Sequence, residues 1–204
     1  MHKYTVIVPS HERHQYLERS IKYFSGFEAN IIYVDSSVDP YTKKLPHNII
    51  YFHCPSLSFP EKALFAIKQC NTEYIAFCAD DDFLIESSLL LGIDNLDANN
   101  KLTASVGRYL AFNENFKGEF FKLNKHADWP DVEKDCEQNI INLLSNYHQI
   151  LWALYRRETI ELAYEAVVKS VFLNDNFIEL VIATVCAGTG GVSFIDEYWG
   201  VREI

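Results

Sequence analysis

No run of five or more basic residues occurs in the 204-residue chain, and 18 Lys and Arg stand against 28 Asp and Glu, a formal charge of −10. Surfaces that hold nucleic acid or anionic membrane need clustered Lys and Arg. A general binder of either is therefore excluded. No Cys-x-x-Cys pair or Cys/His spacing suggests zinc. The five cysteines, Cys54, Cys70, Cys78, Cys136 and Cys186, are odd in number, widely spaced and mostly set in apolar periodic segments. That pattern fits buried reduced thiols of a cytosolic protein. Long apolar runs are also missing. The one after Met1-His2-Lys3 is too short for a signal h-region. The longest later one, Phe177 to Ala187, is interrupted by Glu179 and falls far short of a membrane span. Internal repeats and low-complexity segments are absent, so a soluble globular chain with no targeting or spanning segment is expected.

What is present is enough apolar material, 49% hydrophobic and 14% aromatic, to bury a substantial core in one globular unit. Tyr4 to Val8 is β-branched and apolar and stops at Pro9-Ser10, which predicts a buried strand. A helix follows, with apolar positions at Tyr16, Leu17, Ile21, Tyr23 and Phe24 and Gly26 closing it. Asn30 to Val34 predicts a second strand ending at Asp35, which completes a βαβ unit with parallel strands. Ile49 to His53 gives a third strand, and a helix from Pro60 to about Cys70 carries Glu61 and Lys62 on its first turn. Leu84 to Asn95 predicts a helix, and Leu102 to Phe112 with Glu119 to Leu123 a hairpin, so the second half is more antiparallel. Helices are then expected over Val132–Leu144, Arg157–Val171 and Asn174–Cys186, with Asn174 or Asp175 as the last N-cap. Strands are expected over Gln149–Tyr155 and Val192–Val201, the last preceded by a hinge-like loop, Gly188 to Gly191.

The chain's most unusual stretch is Tyr74 to Phe83, a short apolar run that ends in Asp80-Asp81-Asp82. Such a run reads as a buried strand of a mostly parallel sheet, and the carboxyl edge of an open α/β sheet is where ligands bind. If the chain stays extended, Asp80 and Asp82 point one way and Asp81 the other. Two desolvated carboxylates side by side repel unless a proton or a cation separates them, and a divalent cation with oxygen ligands suits the pair. A solvated acidic turn capping the next helix is the plainer alternative. Ser10 with Arg13, then Asp35, then the triplet all follow strand ends, so distant segments assemble one polar cleft.

Four stretches resemble the nucleotide-diphospho-sugar glycosyltransferases of the GT-A fold, in particular the bacterial family-two-like members. Thr5-Val6-Ile7-Val8-Pro9-Ser10-His11-Glu12-Arg13 resembles their opening strand and the loop that faces the nucleotide. Ile32-Tyr33-Val34-Asp35-Ser36-Ser37 is similar to the second strand, whose Asp contacts the base. Lys62 ahead of Thr72 to Phe83 looks like the segment that ends in the Asp-x-Asp metal motif. Trp152 to Arg157, Asn174-Asp175 and Tyr198 to Glu203 resemble the acceptor-side strand, the catalytic-base helix and the closing strand. Two positions depart from the usual pattern. Ala79 occupies the first acidic place of Leu-Asp-x-Asp-Asp, and Asn174 stands where the Glu of a Glu-Asp pair is usual.

The resemblance implies a GT-A α/β fold over residues 1–204, a central mostly parallel twisted sheet with helices on both faces and an antiparallel acceptor-side portion. Residues 1–100 would form the nucleotide-binding half and 101–204 the acceptor-side half. It implies transfer of a sugar from a nucleotide-diphospho-sugar to a hydroxyl of a glycan or lipid-linked acceptor, with inversion. Asp80 and Asp82 would meet Mn²⁺ or Mg²⁺, with Asp81 on ribose; Asp81 with Asp82 is the alternative metal pair. Pro9, Ser10, Arg13, Asp35 and Lys62 would line the nucleotide side. Asp35 also reads as an Asp-Ser turn, and Arg13 and Lys62 as surface cations. Asp175 would be the general base, a role compatible with an N-cap, with Glu179 as fallback. Trp152, Arg156 and Tyr155 would face the acceptor, although aromatics on a strand are usually core. His126 and His148 are further candidate ligands. The relatives point to surface-glycan synthesis at the cytoplasmic face of a membrane. Rival readings are a non-catalytic sugar-nucleotide-binding domain, a fragment of a larger glycan-building enzyme, and more remotely a phospho-receiver domain.

Overall fold

The computed structural model describes residues 2–112, 122–123, 135–145, 147, 149–170 and 176–203. Elements alternate in the first half as β1 (Tyr4–Ser10), α1 (His14–Phe24), β2 (Asn30–Asp35), β3 (Ile49–His53), α2 (Phe59–Gln69), β4 (Tyr74–Phe77), β5 (Phe83–Leu84) and α3 (Glu86–Ala98). Then come β6 (Leu102–Phe112), β7 (Lys122–Leu123), α4 (Cys136–Ser145), β8 (Leu154–Arg156), α5 (Arg157–Lys169), α6 (Asn176–Thr189) and β9 (Gly191–Glu203). The strands join into one sheet in the order β3-β2-β1-β4-β8-β6-β9-β5, with β7 on β6. The long ladders, β1 with β2 and β4, β2 with β3, and β6 with β9, are parallel. The antiparallel ladders of β8, β5 and β7 are short.

Alternation along each strand sends neighbouring side chains to opposite faces. On one face Tyr33 hydroxyl meets Ser20 of α1 at 2.8 Å, and Tyr4 hydroxyl donates to Glu86 of α3 at 2.8 Å. On the other, Phe77 stacks on Tyr164 of α5, with ring centroids 5.4 Å apart. The Tyr4 and Tyr33 phenols bring an apolar body to the core and find a partner for the hydroxyl, whereas the Tyr164 hydroxyl is buried with no hydrogen-bond partner among the described residues. Register puts Ser10 opposite Asp35 and Asp35 opposite His53, so the ends of β1, β2 and β3 emerge level at one edge. The sheet thereby fixes the cleft that the polar strand ends predict.

Several expected boundaries shift. Residues 150–153 form a turn closed by Ala153 N–H donating to Ile150 carbonyl, so β8 is confined to Leu154–Arg156 and Trp152 stands on the turn. The hinge-like loop at Gly188 is absent, because α6 continues through it to Thr189. At Gly190 a Cβ would come within 2.3 Å of Lys101 carbonyl oxygen, so the glycine there serves close backbone approach. The helix before Gly26 ends at Phe24, with Ser25 as its C-cap.

Candidate active site

The cleft starts from the loop between β1 and α1. Glu12 has φ of 53°, a left-handed conformation that costs a non-glycine residue roughly 1 kcal/mol. Two hydrogen bonds hold it there: its N–H donates to Ser37 Oγ at 2.7 Å, and its Oε1 accepts from Val38 N–H at 2.6 Å. The kink turns His11 and Arg13 toward the cavity. That cavity, about 510 Å³, is lined by Pro9, Ser10, His11, Arg13, Ser36, Leu57, Ser58, Phe59, Lys62, Ala79, Asp80 and Trp152. Its volume is that of a small-molecule site. One wall is the start of α2, where Glu61 accepts from Ser58 N–H at 2.9 Å in a capping box.

The acidic triplet is not extended. Asp82 N–H donates to Ala79 carbonyl at 3.1 Å, so the chain turns within it, and Asp80 and Asp81 share Arg13 while Asp82 turns to Arg202. Asp80, 3% exposed, accepts from Ser10 Oγ at 2.7 Å and faces Arg13 at 3.3 Å. Asp81 pairs with the other nitrogen of the same guanidinium. Asp82, 7% exposed, accepts from Glu203 N–H at 3.2 Å and faces Arg202 Nε at 3.4 Å. Arg19 ties the turn to the end of β9, donating to Asp81 carbonyl at 3.0 Å and to Glu203 at 2.5 Å. Burial raises the Asp80 carboxyl against the pull of Ser10 and Arg13, and it lifts Asp82 to about 6 in spite of Arg202.

Lys62 is not a surface cation. It is 4% exposed, and its Nζ donates to Ser10 carbonyl at 2.5 Å and to Ser36 Oγ at 2.9 Å; burial pushes its ammonium down. Asp35 is fully buried. Burial works to raise its carboxyl, yet donors on Ser37, Tyr51 and His14 together hold it below the usual range. Arg156 is a correction to the acceptor-side expectation. It sits opposite Tyr74, at the start of β4 and away from the triplet, and donates to Leu102 carbonyl at 2.8 Å and Leu96 carbonyl at 2.5 Å. Its work is to satisfy backbone carbonyls near the end of α3. Tyr155 is fully buried core. Trp152 does line the cavity. Asp175, Asn174, His126 and His148 lie outside the described residues.

A second cavity of about 520 Å³ is lined by Tyr147, Asn176, Phe177, Glu179 and Leu180. Glu179 accepts from Gln149 Nε2, and Gln149 Oε1 accepts from Arg202 NH1 at 3.1 Å. Arg202 therefore joins the acidic turn to the second cavity. The sequence reading assigned no role to Arg202, Arg19, His14 or Tyr51. The available signal was the Tyr198 to Glu203 stretch itself, which places an arginine two residues beyond a glycine that contacts β5. A Cβ at Gly200 would stand 2.6 Å from Phe83 carbonyl oxygen.

Among the described residues no group of three or more His, Cys, Asp or Glu side chains forms a metal site by itself. The chain's donors still suit a hard divalent cation completed by substrate and water. They are carboxylate oxygens, and five carboxylates here, Asp35, Asp80, Asp81, Asp82 and Glu203, face four cations, Arg13, Arg19, Arg202 and Lys62. That balance leaves the charge of a diphosphate uncompensated without a further cation.

A mostly parallel sheet with a carboxylate turn beyond its strands, a cavity beside it lined by Arg13 and Lys62, and short antiparallel ladders through β8 make up a GT-A architecture. The chain belongs to glycosyl transferase family 2, whose profile matches residues 5–162. Among solved structures it is similar to S. aureus TarS 1–349 in complex with UDP-GlcNAc, with a TM-score of 0.65 and 16% identity over 99% of this chain and 58% of that one. It is similar also to a second structure of S. aureus TarS 1–349, with a TM-score of 0.64 and 17% identity over 98% and 60%. The chain thus spans about three-fifths of those structures. No curated protein sequence matches it.

Proposed function

We propose that the chain transfers a sugar from a nucleotide-diphospho-sugar to an acceptor hydroxyl, with residues 1–100 holding the donor and 101–204 the acceptor. The observation that carries this reading is the joining of Ser10, Arg13, Lys62 and Asp80 around one cavity at the carboxyl edge of the sheet. UDP-GlcNAc on the similar TarS supports a sugar nucleotide as the donor class. Asp80 and Asp82 would hold Mn²⁺ or Mg²⁺, which when bound neutralises the departing nucleoside diphosphate. Arg13 is placed to pair with a phosphate as well as with Asp80 and Asp81, as a guanidinium with five donors can. Lys62 keeps the end of β1 against Ser36 and so shapes the nucleotide side. Trp152 offers a flat apolar face to a sugar ring.

Asp175 would take the proton from the acceptor hydroxyl as its oxygen attacks the anomeric carbon, which inverts the configuration. The acceptor would be a glycan or lipid-linked saccharide, met on the cytoplasmic side and at times at the membrane face. Among the described residues no helix is long and apolar enough to cross a membrane. The four buried free thiols, Cys54, Cys70, Cys78 and Cys186, suit a reducing compartment. Calorimetry with UDP, GDP and CMP, with and without Mn²⁺, tests the reading. Metal-dependent binding of one nucleotide, lost in Asp80→Ala or Asp82→Ala, is expected. Absence of binding to all three under both conditions would overturn it.

A further inference from the structure

Family resemblance gives the base contact to Asp35, but the carboxylate has no acceptor to spare. Its Oδ1 accepts from Ser37 N–H at 2.9 Å and Ser37 Oγ at 2.5 Å. Its Oδ2 accepts from Tyr51 hydroxyl at 2.8 Å and His14 Nε2 at 3.1 Å. A carboxylate offers about four lone-pair directions, and here the chain fills them all. With no exposed surface either, Asp35 acts as an internal anchor for the Ser37 turn, Tyr51 and His14.

The cavity is lined by two sets of side chains. Ser10, Arg13 and Asp80 form the charged set, joined by the bonds described above. His11 and Ser36 form the neutral set, with Leu57 and Phe59 as apolar walls. If the diphosphate takes the charged set, the neutral set is left for the base. His11 Nδ1 lies 3.1 Å from Ser36 carbonyl oxygen and 3.1 Å from Ser36 Oγ. A carbonyl oxygen can only accept, so Nδ1 carries the proton, and in the neutral ring Nε2 is left as a lone-pair acceptor. The Ser36 hydroxyl agrees with that assignment, since it accepts from Lys62 Nζ at 2.9 Å and turns its own hydrogen toward Ser10 carbonyl. The other polar groups of the lining are committed differently. Ser58 Oγ donates to Glu61 at 2.5 Å, and Lys62 and Arg13 can only donate.

We infer that His11, and not Asp35, reads the base, and that the cavity selects a base with an imino N–H, as uracil has at N3 and guanine at N1. Cytosine presents an acceptor at N3, so its lone pair would face the lone pair of His11 Nε2. The loss is that of a hydrogen bond exchanged for a repulsion inside a partly desolvated cleft. The inference rests on the donor-site reading above, and it names the class of nucleotide which that site takes.

The test is calorimetry at about pH 8, with Mn²⁺ present and UDP, GDP and CDP as probes on the wild-type chain and on His11→Ala. UDP or GDP is expected to bind about tenfold or more tightly than CDP, and His11→Ala to reduce that preference to about twofold while CDP affinity holds. UDP methylated at N3 should bind the wild-type chain as weakly as CDP does. An equal loss for all three nucleotides in His11→Ala would make His11 loop packing and overturn the inference. CDP binding as tightly as UDP and GDP to the wild-type chain would overturn it too, and leave the donor-site reading intact. No binding by any probe would remove that reading, and the inference with it.

Discussion

Arg202 Nε stands 3.4 Å from Asp82 Oδ2, and the same guanidinium lies 5.0 Å from the centroid of the Tyr109 ring and 5.8 Å from that of Trp152. The end of β9 thus closes on the acidic turn with a cation held against aromatic faces. Asp82 N–H closes the turn on Ala79, and Glu203 N–H caps the Asp82 carboxylate. Removing Arg202 leaves that carboxylate buried without its cation. Arg202→Ala is expected to cost about 2–3 kcal/mol in urea denaturation. Asp82→Asn in the same chain should recover much of it, with a coupling of about 1–2 kcal/mol in the double-mutant cycle. Simple additivity of the two changes would show that the pair contributes nothing.

Asp35 sets a stability that depends on acid. Its folded-state carboxyl is held below the ordinary value of about 3.9, so the contribution is fully present above that value and is lost as pH falls through the folded one. Wild-type chain is expected to exceed Asp35→Asn by about 2 kcal/mol at neutral pH, the scale of hydrogen bonds to a charged group. The gap should shrink as pH falls below about 4 and through the lowered folded-state value. Urea midpoints across that range measure it, and a gap that stays constant would mean that the donors around Asp35 do not favour its charged form.

Gly92 on α3 is the seat of Trp199. A Cβ there would stand 2.8 Å from Trp199 Cη2 and 3.3 Å from Leu154 Cδ2. The indole is fully buried and donates through Nε1 to Trp152 carbonyl at 3.1 Å, so it has no free direction in which to move. Gly92→Ala is expected to lower stability by about 1–2 kcal/mol, the overpacking cost less a helix-propensity gain of up to about 1 kcal/mol. Thermal unfolding and tryptophan emission would follow it. An unchanged or higher midpoint would show that α3 shifts freely away from β9.

Much of this arrangement was legible in the chain. Short apolar runs that end in Ser10, Asp35 and Asp80 gave parallel strands with one functional edge, because strand polarity converts sequence order into a shared side. The division of labour within the triplet was not legible. An extended chain would have set Asp80 and Asp82 side by side, whereas the Ala79–Asp82 turn gives Asp80 and Asp81 to Arg13 and leaves Asp82 to Arg202. Arg202 and Asp82 meet only after β9 has crossed the sheet, and no local pattern encodes a pairing at that separation. Arg156 misled for the related reason that an arginine on a strand looks alike at either end of the sheet. The burial of Lys62 was likewise invisible, since a first-turn lysine is usually solvated.

In the proposed transfer, two carboxylates compete for the role of proton acceptor. Glu179 is already engaged: Gln149 Nε2 donates to it, and the Tyr147 phenol beside it is pushed up to about 12 by burial and by that carboxylate. A carboxylate whose oxygens already accept from protein donors is less free to reach a substrate hydroxyl. Asp175 is the stronger candidate on that ground. General-base work contributes about 10²–10⁴ in rate, so Asp175→Asn is expected to lower kcat by about a thousandfold with nucleoside diphosphate affinity unchanged. Glu179→Gln should lower it by about tenfold or less, as a group that positions Gln149 and Arg202 rather than one that takes the proton. Transfer assays on the two variants, each paired with calorimetry for the donor diphosphate, separate the roles. If Asp175→Asn transferred sugar at the wild-type rate while Glu179→Gln lost the thousandfold, the base would be Glu179. The link from Glu179 through Gln149 and Arg202 to Asp82 would then join the base directly to the donor side of the reaction.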